Sequence, residues 1–248
     1  MNYRGTITGI SGVSGAALTV AVPLIFPDQV SAQAHLLAGV GTYVLIIAQA
    51  RSTLPWCEWF PASKVIRRII RVAVYFIPVV AVNFPYPAIS DPALISAVLI
   101  GVAGLAVQRR EIRTGLSCRY LRLLPPVGHV DRGRDLFFFG SSGAAQEYLY
   151  HGVLLAGLAG FPVLAVSLTT ALFVAEHLVQ LGARKQWDLK DKGIHSALGL
   201  ALGCTVIVGH SLPAAMIGHT IYNLPNVIQA ILRPGVPALE GKHHDRFN

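Results

Sequence analysis

Long apolar runs alternate along this chain with short polar segments. A helix needs about 20 predominantly apolar residues to cross the hydrocarbon core of a bilayer, and a shorter run can cross when its flanking residues complete the span. The pattern therefore predicts an all-α, polytopic membrane protein with about eight transmembrane helices. In chain order the predicted spans are 10–26, 32–50, 72–84, 93–107, 136–158, 161–181, 194–208 and 209–232.

Composition supports the membrane class. Hydrophobic residues make up 53% of the 248 residues and charged residues only 13%, whereas a soluble domain carries about 25% charged residues. The polar connections are too short to fold alone, so we expect a single transmembrane domain over residues 1–248. Cys57, Cys118 and Cys204 form an odd set without paired spacing, which predicts reduced thiols.

The basic residues test this topology. With eight spans, all 20 Lys and Arg residues fall on the side that holds both termini and the second, fourth and sixth loops. Short loops rich in Lys and Arg stay in the cytoplasm, so the sequence predicts a multi-pass protein of the cell membrane with both termini cytoplasmic. The net charge of +8 then reflects topology and anionic lipid headgroups, and nucleic acid is excluded as a partner. The excess of Arg over Lys favours a bacterial source.

The fifth predicted span places ionisable side chains in an apolar segment. Glu147 and His151 lie one helical turn apart on one face, and Gly140 and Gly143 lie along that face, where small residues allow another helix to approach closely. A charged group costs several kcal/mol in hydrocarbon, so this pair is a candidate functional site. The alternative is a buried Glu–His pair that only holds two helices together.

Two later spans carry further polar faces. Phe173 and His177 share a face of the sixth span with Glu176 beside it, and His219 and Asn223 share a face of the eighth. We therefore expect a buried polar site among spans five, six and eight. The remaining histidines of the apolar runs are assigned structural or interfacial roles; they are His35, His195 and His210.

These residue types are compatible with two kinds of site. A carboxylate with an imidazole can activate water, while a second imidazole and an amide stabilise an oxyanion. A divalent metal is also chemically possible, with Glu147, His151, His177 and His219 as candidate ligands. Neither HExxH nor HxxEH occurs, so the sequence does not indicate a metal site and leaves the cofactor open.

At these residues the sequence resembles the CPBP family, which contains CAAX proteases and bacteriocin-processing enzymes and is also called the Abi family. That family carries EExxxR, FxxxH and HxxxN/D on successive helices of an eight-span core. The corresponding segments here read QEYLYH at 146–151, FVAEH at 173–177 and HTIYN at 219–223. The second and third motifs are intact, and the resemblance covers about 136–232.

The resemblance implies an intramembrane endopeptidase. In this chain Glu147 and His177 would activate water, His219 and Asn223 would stabilise the oxyanion, and the supporting motif residues would be Gln146, His151, Phe173 and Glu176. The first motif departs from the family pattern, because Gln146 replaces the usual water-activating Glu and His151 replaces Arg. An amide cannot act as a general base, so Glu147 or Glu176 must substitute if proteolysis is retained.

Three functions remain open on the sequence alone. The leading hypothesis is a CPBP-type intramembrane hydrolase, a peptidase that acts on a lipidated or membrane-associated peptide. The second is a non-proteolytic scaffold that binds a prenylated peptide or an isoprenoid. The third is a membrane enzyme that uses Glu147 as an acid or base on an isoprenoid or lipid substrate, although the expected Asp-rich diphosphate motif does not occur. All three place the chain in membrane lipid.

Overall fold

Helices account for nearly all the regular structure in the computed structural model, which describes residues 31–51, 72–80, 82–181 and 188–235. Within those residues no strand occurs, and the only β-type pairing is an isolated bridge between Val127 and Gly235. The predicted all-α class is confirmed. The first predicted span, 10–26, and Cys57 lie outside the described residues.

Helices occupy most of the described residues. In chain order they are α1 Ala32–Arg51, a 3₁₀ helix Val74–Val80, α2 Asp91–Val107, α3 Arg109–Gly115, α4 Cys118–Leu123, α5 His129–Glu147, α6 Pro162–Leu181, α7 Leu189–Gly209 and α8 Leu212–Leu232. After α5 the chain continues through a π-helical segment, Tyr148–Leu154, and a single turn, Leu155–Gly157.

Local signals explain several of these boundaries. α2 begins with an acidic residue and a proline in its first turn, both favoured there. Asp188 caps α7 by accepting a hydrogen bond from the backbone of Asp191, and Ser211 caps α8 in the same way. Between α7 and α8, His210 adopts a left-handed conformation with φ of 48° and ends one helix before the next begins.

Fewer helices than predicted are long and apolar enough to cross a membrane. Among the described residues, α6 and α7 each qualify, and α2 with α3 qualifies as one pair bent by 70°. In the described part of the predicted span 72–84, two α-helical residues lead into the 3₁₀ helix, which has Pro78 inside it. The fifth helix begins at His129, so its first turns carry charged residues. The count of eight spans therefore stays a prediction.

Large apolar side chains nevertheless cover much of the helical surface. Ile95 and Leu99 on α2, Val163 on α6 and Val208 on α7 are 60–82% exposed. Exposed apolar area of this extent is rare on a protein surrounded by water. Together with the apolar helices, it indicates a protein that lies in a membrane.

The π-helical segment lies at the centre of the packing. Each of its residues is buried, and α1, α6, α7 and α8 all contact it. Small residues bring the surrounding helices close: a methyl group on Gly218 of α8 would lie 2.5 Å from the carbonyl oxygen of Ala97 on α2. α8 also packs along α5, and this contact brings the motif residues together.

Candidate active site

Glu147, the last residue of α5, accepts hydrogen bonds from two imidazoles. His151, four residues later in the π-helical segment, places its Nδ1 2.6 Å from one carboxylate oxygen. His219 on α8 places its Nδ1 2.6 Å from the other. Because an ionised carboxylate only accepts hydrogen bonds, both Nδ1 atoms carry the protons. Glu147 is 2% exposed, so both of its oxygens are engaged inside the protein.

The contact between α5 and α8 depends on a glycine. A methyl group on Gly143 would lie 3.2 Å from Cδ2 of His219 and 3.2 Å from Nδ2 of Asn223. Both polar side chains of the third motif therefore lie against the same point on α5. One turn earlier, a methyl group on Gly140 would meet nothing within 4 Å. The predicted close approach is thus found at Gly143 and not at Gly140.

Two further imidazoles surround Phe173 of α6. His177 donates from Nδ1 to the Phe173 carbonyl oxygen at 2.9 Å, and His195 on α7 donates from Nδ1 to the Asp191 carbonyl oxygen at 2.8 Å. The ring centroids of these histidines are 5.0 Å apart. The Phe173 ring lies 4.5 Å from that of His177 and 5.7 Å from that of His219. One buried phenyl ring therefore connects three histidines.

A cavity of about 530 Å³ opens beside these histidines. Its walls combine carboxamide, imidazole, charged and apolar side chains from α3 and the residues next to it, and from α5, α6, α7 and α8. They are Gln108, Glu111, Ile112, Gly115, Leu116, Phe138, Phe139, Ser142, Gln146, His177, Lys190, Asp191, Ile194, His195, His219, Tyr222, Asn223, Pro225, Asn226 and Gln229.

Four of the eight site residues named from the sequence line this cavity, and they come from all three motifs. They are Gln146, His177, His219 and Asn223. The structure thus brings the motifs to one place, while the catalytic roles stay predictions. The other four, Glu147, His151, Phe173 and Glu176, are at most 2% exposed and lie behind the cavity wall.

Glu176 belongs to a separate cluster. Its two carboxylate oxygens accept hydrogen bonds from the hydroxyls of Tyr75 and Tyr150, and the side chain is fully buried. The Tyr150 ring packs edge-on against Phe173, with centroids 5.7 Å apart. Phe173 therefore lies between the Glu176 cluster and the histidine-lined cavity.

The sequence reasoning missed His195 as a residue of this site. A single histidine near a helix end cannot be distinguished from an interfacial one. A signal does exist in the glycines that follow it at four and eight residues, because Gly199 and Gly203 share its face. Methyl groups there would lie 3.0 Å from Thr170 and 3.0 Å from His151. Small residues favour close helix packing, so a histidine that shares their face is expected to point between helices and not at lipid.

The mouth of the cavity is polar. Lys190 at the start of α7 forms an ion pair with Glu111 of α3, and both side chains are about half exposed. Deeper in, the amide of Gln108 donates to the Tyr222 hydroxyl at 2.5 Å. These contacts join the bent end of α2 and the short α3 to α7 and α8.

A metal site does not emerge from the sequence-based candidates. Among the residues that the structure describes, no three His, Cys, Asp or Glu side chains are arranged to hold a metal ion. The oxygens of Glu147 instead accept hydrogen bonds from Nδ1 of His151 and Nδ1 of His219. His177 donates from Nδ1 to its own helix.

Comparison with known proteins gives one match. Residues 136–225 match the family model described as type II CAAX prenyl endopeptidase Rce1-like. No curated protein and no solved structure matches the chain. The matched segment runs from α5 to α8 and includes every motif residue that lines or supports the cavity. Over this segment the chain is similar to the Rce1-like CAAX endopeptidase family, which confirms the resemblance inferred from its motifs.

Proposed function

We propose that this protein is an intramembrane hydrolase of the CAAX-endopeptidase type, which cleaves a lipidated or membrane-associated peptide with water. The observation that carries the proposal is the convergence of three motifs on one cavity. Gln146 from α5, His177 from α6, and His219 with Asn223 from α8 all line it. These residues are far apart in the sequence and meet only through helix packing.

The side chains in the cavity have the chemistry that peptide hydrolysis requires. Imidazoles can accept a proton from water and return it to the leaving amine. The amide groups of Gln146 and Asn223 can donate hydrogen bonds to an oxyanion. Neither amide has a hydrogen-bond partner within the described part of the chain, so both remain available to a ligand.

The cavity suits a peptide joined to an apolar group. Its carboxamides can bind peptide groups, while Phe138, Phe139, Ile112 and Leu116 supply apolar area along the same walls. The proposed topology has eight spans in the cell membrane, with both termini and the Lys190 side of the cavity in the cytoplasm. A prenylated peptide would then approach with its lipid in the bilayer and its peptide at the cavity mouth.

A second function is favoured by one observation. Gln146 places an amide where the family pattern has a carboxylate, and an amide cannot take a proton from water. A protein that had lost hydrolysis would bind the same prenylated peptide or an isoprenoid in this cavity without cleaving it. An enzyme that uses Glu147 as acid or base on a lipid would also keep the cavity.

Variants of the cavity histidines distinguish hydrolysis of the peptide from binding without cleavage. In purified protein reconstituted into liposomes, we expect cleavage of a fluorogenic prenylated peptide to fall by about 10²-fold or more in His219→Gln and in His177→Gln, because glutamine keeps some hydrogen bonding but loses proton transfer. Cleavage rate and folded yield should be measured separately. His35→Gln is the matched control, since His35 is buried away from the cavity and its loss should leave cleavage near the wild-type rate.

Three outcomes are informative in this experiment. Full cleavage by both variants would show that the site assignment is wrong. Binding of the peptide by the wild type without any cleavage would contradict hydrolysis and support the scaffold. Loss of cleavage on chelation, with return on adding a divalent metal, would assign the water activation to a metal instead of to the side chains alone.

A further inference from the structure

We infer that His219, held by Glu147, accepts the proton of the attacking water, so that Glu147 acts through His219 and does not contact water itself. The inference rests on the proposed hydrolytic function and names the proton acceptor that the Gln146 substitution leaves open. It makes His219 the catalytic residue and Glu147 a positioning residue.

Glu147 is placed against His219 and not against the cavity. Both of its oxygens accept imidazole N–H groups at 2.6 Å, and Glu147 is not among the residues that line the cavity. His219 is as deeply buried, at 2% exposure, but it does line the cavity. With its proton held at Nδ1 by Glu147, the neutral ring has its lone pair at Nε2. The ring atom next to Nε2, Cδ2, lies beside Asn223 at Gly143.

The other carboxylates near the site do not fill this role. Glu176 lies across Phe173, with one tyrosine hydroxyl on each oxygen. Glu111 is at the mouth and is paired with Lys190. Asp191 also lies at the mouth, in the first turn of α7. Gln146 brings an amide where the family pattern has a carboxylate, and His219 is the imidazole on the cavity wall that Glu147 holds.

Glu147 gives His219 a buried carboxylate partner at Nδ1. The Nδ1 atoms of His177 and His195 donate to backbone carbonyl oxygens. When an imidazole takes a proton from a nucleophile it becomes a cation, and a carboxylate at its Nδ1 stabilises that cation and fixes the tautomer. This arrangement favours proton transfer at His219.

His151 completes the arrangement from the other side. It holds the second oxygen of Glu147, and Gly203 leaves just enough room for its ring, since a methyl group there would lie 3.1 Å from Nε2. Within the described residues Nε2 of His151 has no hydrogen-bond partner. The family Arg at this position would bring a fixed charge, whereas His151 can hold the carboxylate as a neutral donor. The carboxylate then keeps its negative charge for His219.

The reaction balances without another reactant. Water gives a proton to Nε2 of His219 while its oxygen bonds to the scissile carbonyl carbon, and the carbonyl electron pair moves to oxygen. Amide N–H groups of Gln146 and Asn223 stabilise that oxyanion. When the C=O bond re-forms, the C–N bond breaks, its electron pair leaves with nitrogen, and the amine takes the proton from His219. Water and a peptide bond have become a carboxylic acid and an amine.

The test compares the two buried carboxylates. Glu147→Gln keeps the side-chain shape but removes the charge behind His219, so we expect kcat to fall about 10²–10⁴-fold with little change in KM. Glu176→Gln makes the same chemical change in the neighbouring cluster, and kcat should fall far less. A merely structural role of Glu147 would lower the folded yield while leaving kcat of the folded fraction unchanged.

A spectroscopic readout tests the pair without turnover. In protein labelled with ¹⁵N-histidine, the His219 signals, assigned with His219→Gln, should show a proton at Nδ1 and none at Nε2. Glu147→Gln should shift them strongly. Wild-type kcat in Glu147→Gln, or a His219 protonated at Nε2 in the wild type, would overturn the inference while cleavage by the wild type still supports the proposed function. A wild type that cleaves nothing would overturn both.

Discussion

Accepting the proton of water and donating a hydrogen bond to the oxyanion are two tasks that one glutamate can combine. With glutamine at position 146 they fall on different residues. The Gln146 side chain is 7% exposed and lines the cavity directly beside the residue that holds His219. As an amide it can donate a hydrogen bond to an oxyanion, but it cannot accept a proton. In the proposed reaction, proton transfer then passes to an imidazole, and Gln146 acts as a hydrogen-bond donor.

Gln146→Glu tests this division. A carboxylate at this position faces the cavity and can take a proton from water, while Asn223 still donates to the oxyanion in place of the lost amide, so we expect the change to raise the rate of peptide cleavage. In the Glu147→Gln background it should restore cleavage that the single change removes, since a general base contributes about 10²–10⁴-fold. The readout is kcat on the prenylated peptide in liposomes. The buried charge should also lower stability, and adding His151→Arg should recover part of the loss.

Gln229→Glu provides the matched control for charge. Gln229 lines the same cavity, and its amide donates to the carbonyl oxygen of Gly115 at 3.1 Å. The same change there adds a carboxylate away from His219 and Asn223, so it should not restore cleavage. Equal recovery by both variants would mean that negative charge in the cavity, and not a placed base, is responsible.

The sequence was informative about single residues wherever a short period fixed a contact. Spacing of four residues predicted that Glu147 and His151 meet, and they do. The Glu147–His219 bond joins residues 72 positions apart, and no periodicity reveals which carboxylate oxygen faces which helix. His195 was missed for the same reason, because its place beside His177 depends on how α7 crosses α6.

Among the elements, the crossing of α5 and α8 gives the sharpest prediction. Gly143→Ala should reduce cleavage, because its methyl group would press on both His219 and Asn223 at 3.2 Å. Gly140→Ala, one turn earlier, meets nothing and should stabilise the helix by about 0.5–1 kcal/mol. Both variants should be compared for kcat and for thermal stability. A similar loss of cleavage in both variants would show that the close contact at Gly143 does not position His219 and Asn223.

Element boundaries show where sequence patterns reached their limit. The end of α7 and start of α8 fall within three residues of the predicted boundary at 208/209, since capping and a left-handed residue mark the turn. The π-helical segment was not foreseen: its residues have an ordinary apolar composition, and the wider turn becomes favourable only through the packing of α1, α6, α7 and α8 around it.

At the scale of the whole molecule, the distribution of Lys and Arg predicts the membrane topology. The packing of the helices does not test that topology. Reporter fusions at Asp28, Asp91 and Asn248 should place the first two outside and the last in the cytoplasm, because all Lys and Arg then lie on the cytoplasmic side. Alkaline phosphatase and a cytoplasmic reporter should be read at each position. Phosphatase activity at Asn248, or cytoplasmic signal at Asp91, would contradict the eight-span topology.

The ion pair at the cavity mouth has a consequence for the entry of a substrate into the cavity. Glu111 and Lys190 are both about half exposed to solvent, and salt weakens such pairs. Such a pair adds little stability, so we expect it to break and re-form by thermal motion without a trigger. A substrate anchored in the membrane would therefore enter without a regulatory signal that opens the mouth. The rate at which the substrate enters the cavity would depend on its concentration in the plane of the membrane. Selectivity would depend on which lipid-linked chains reach this opening by lateral diffusion.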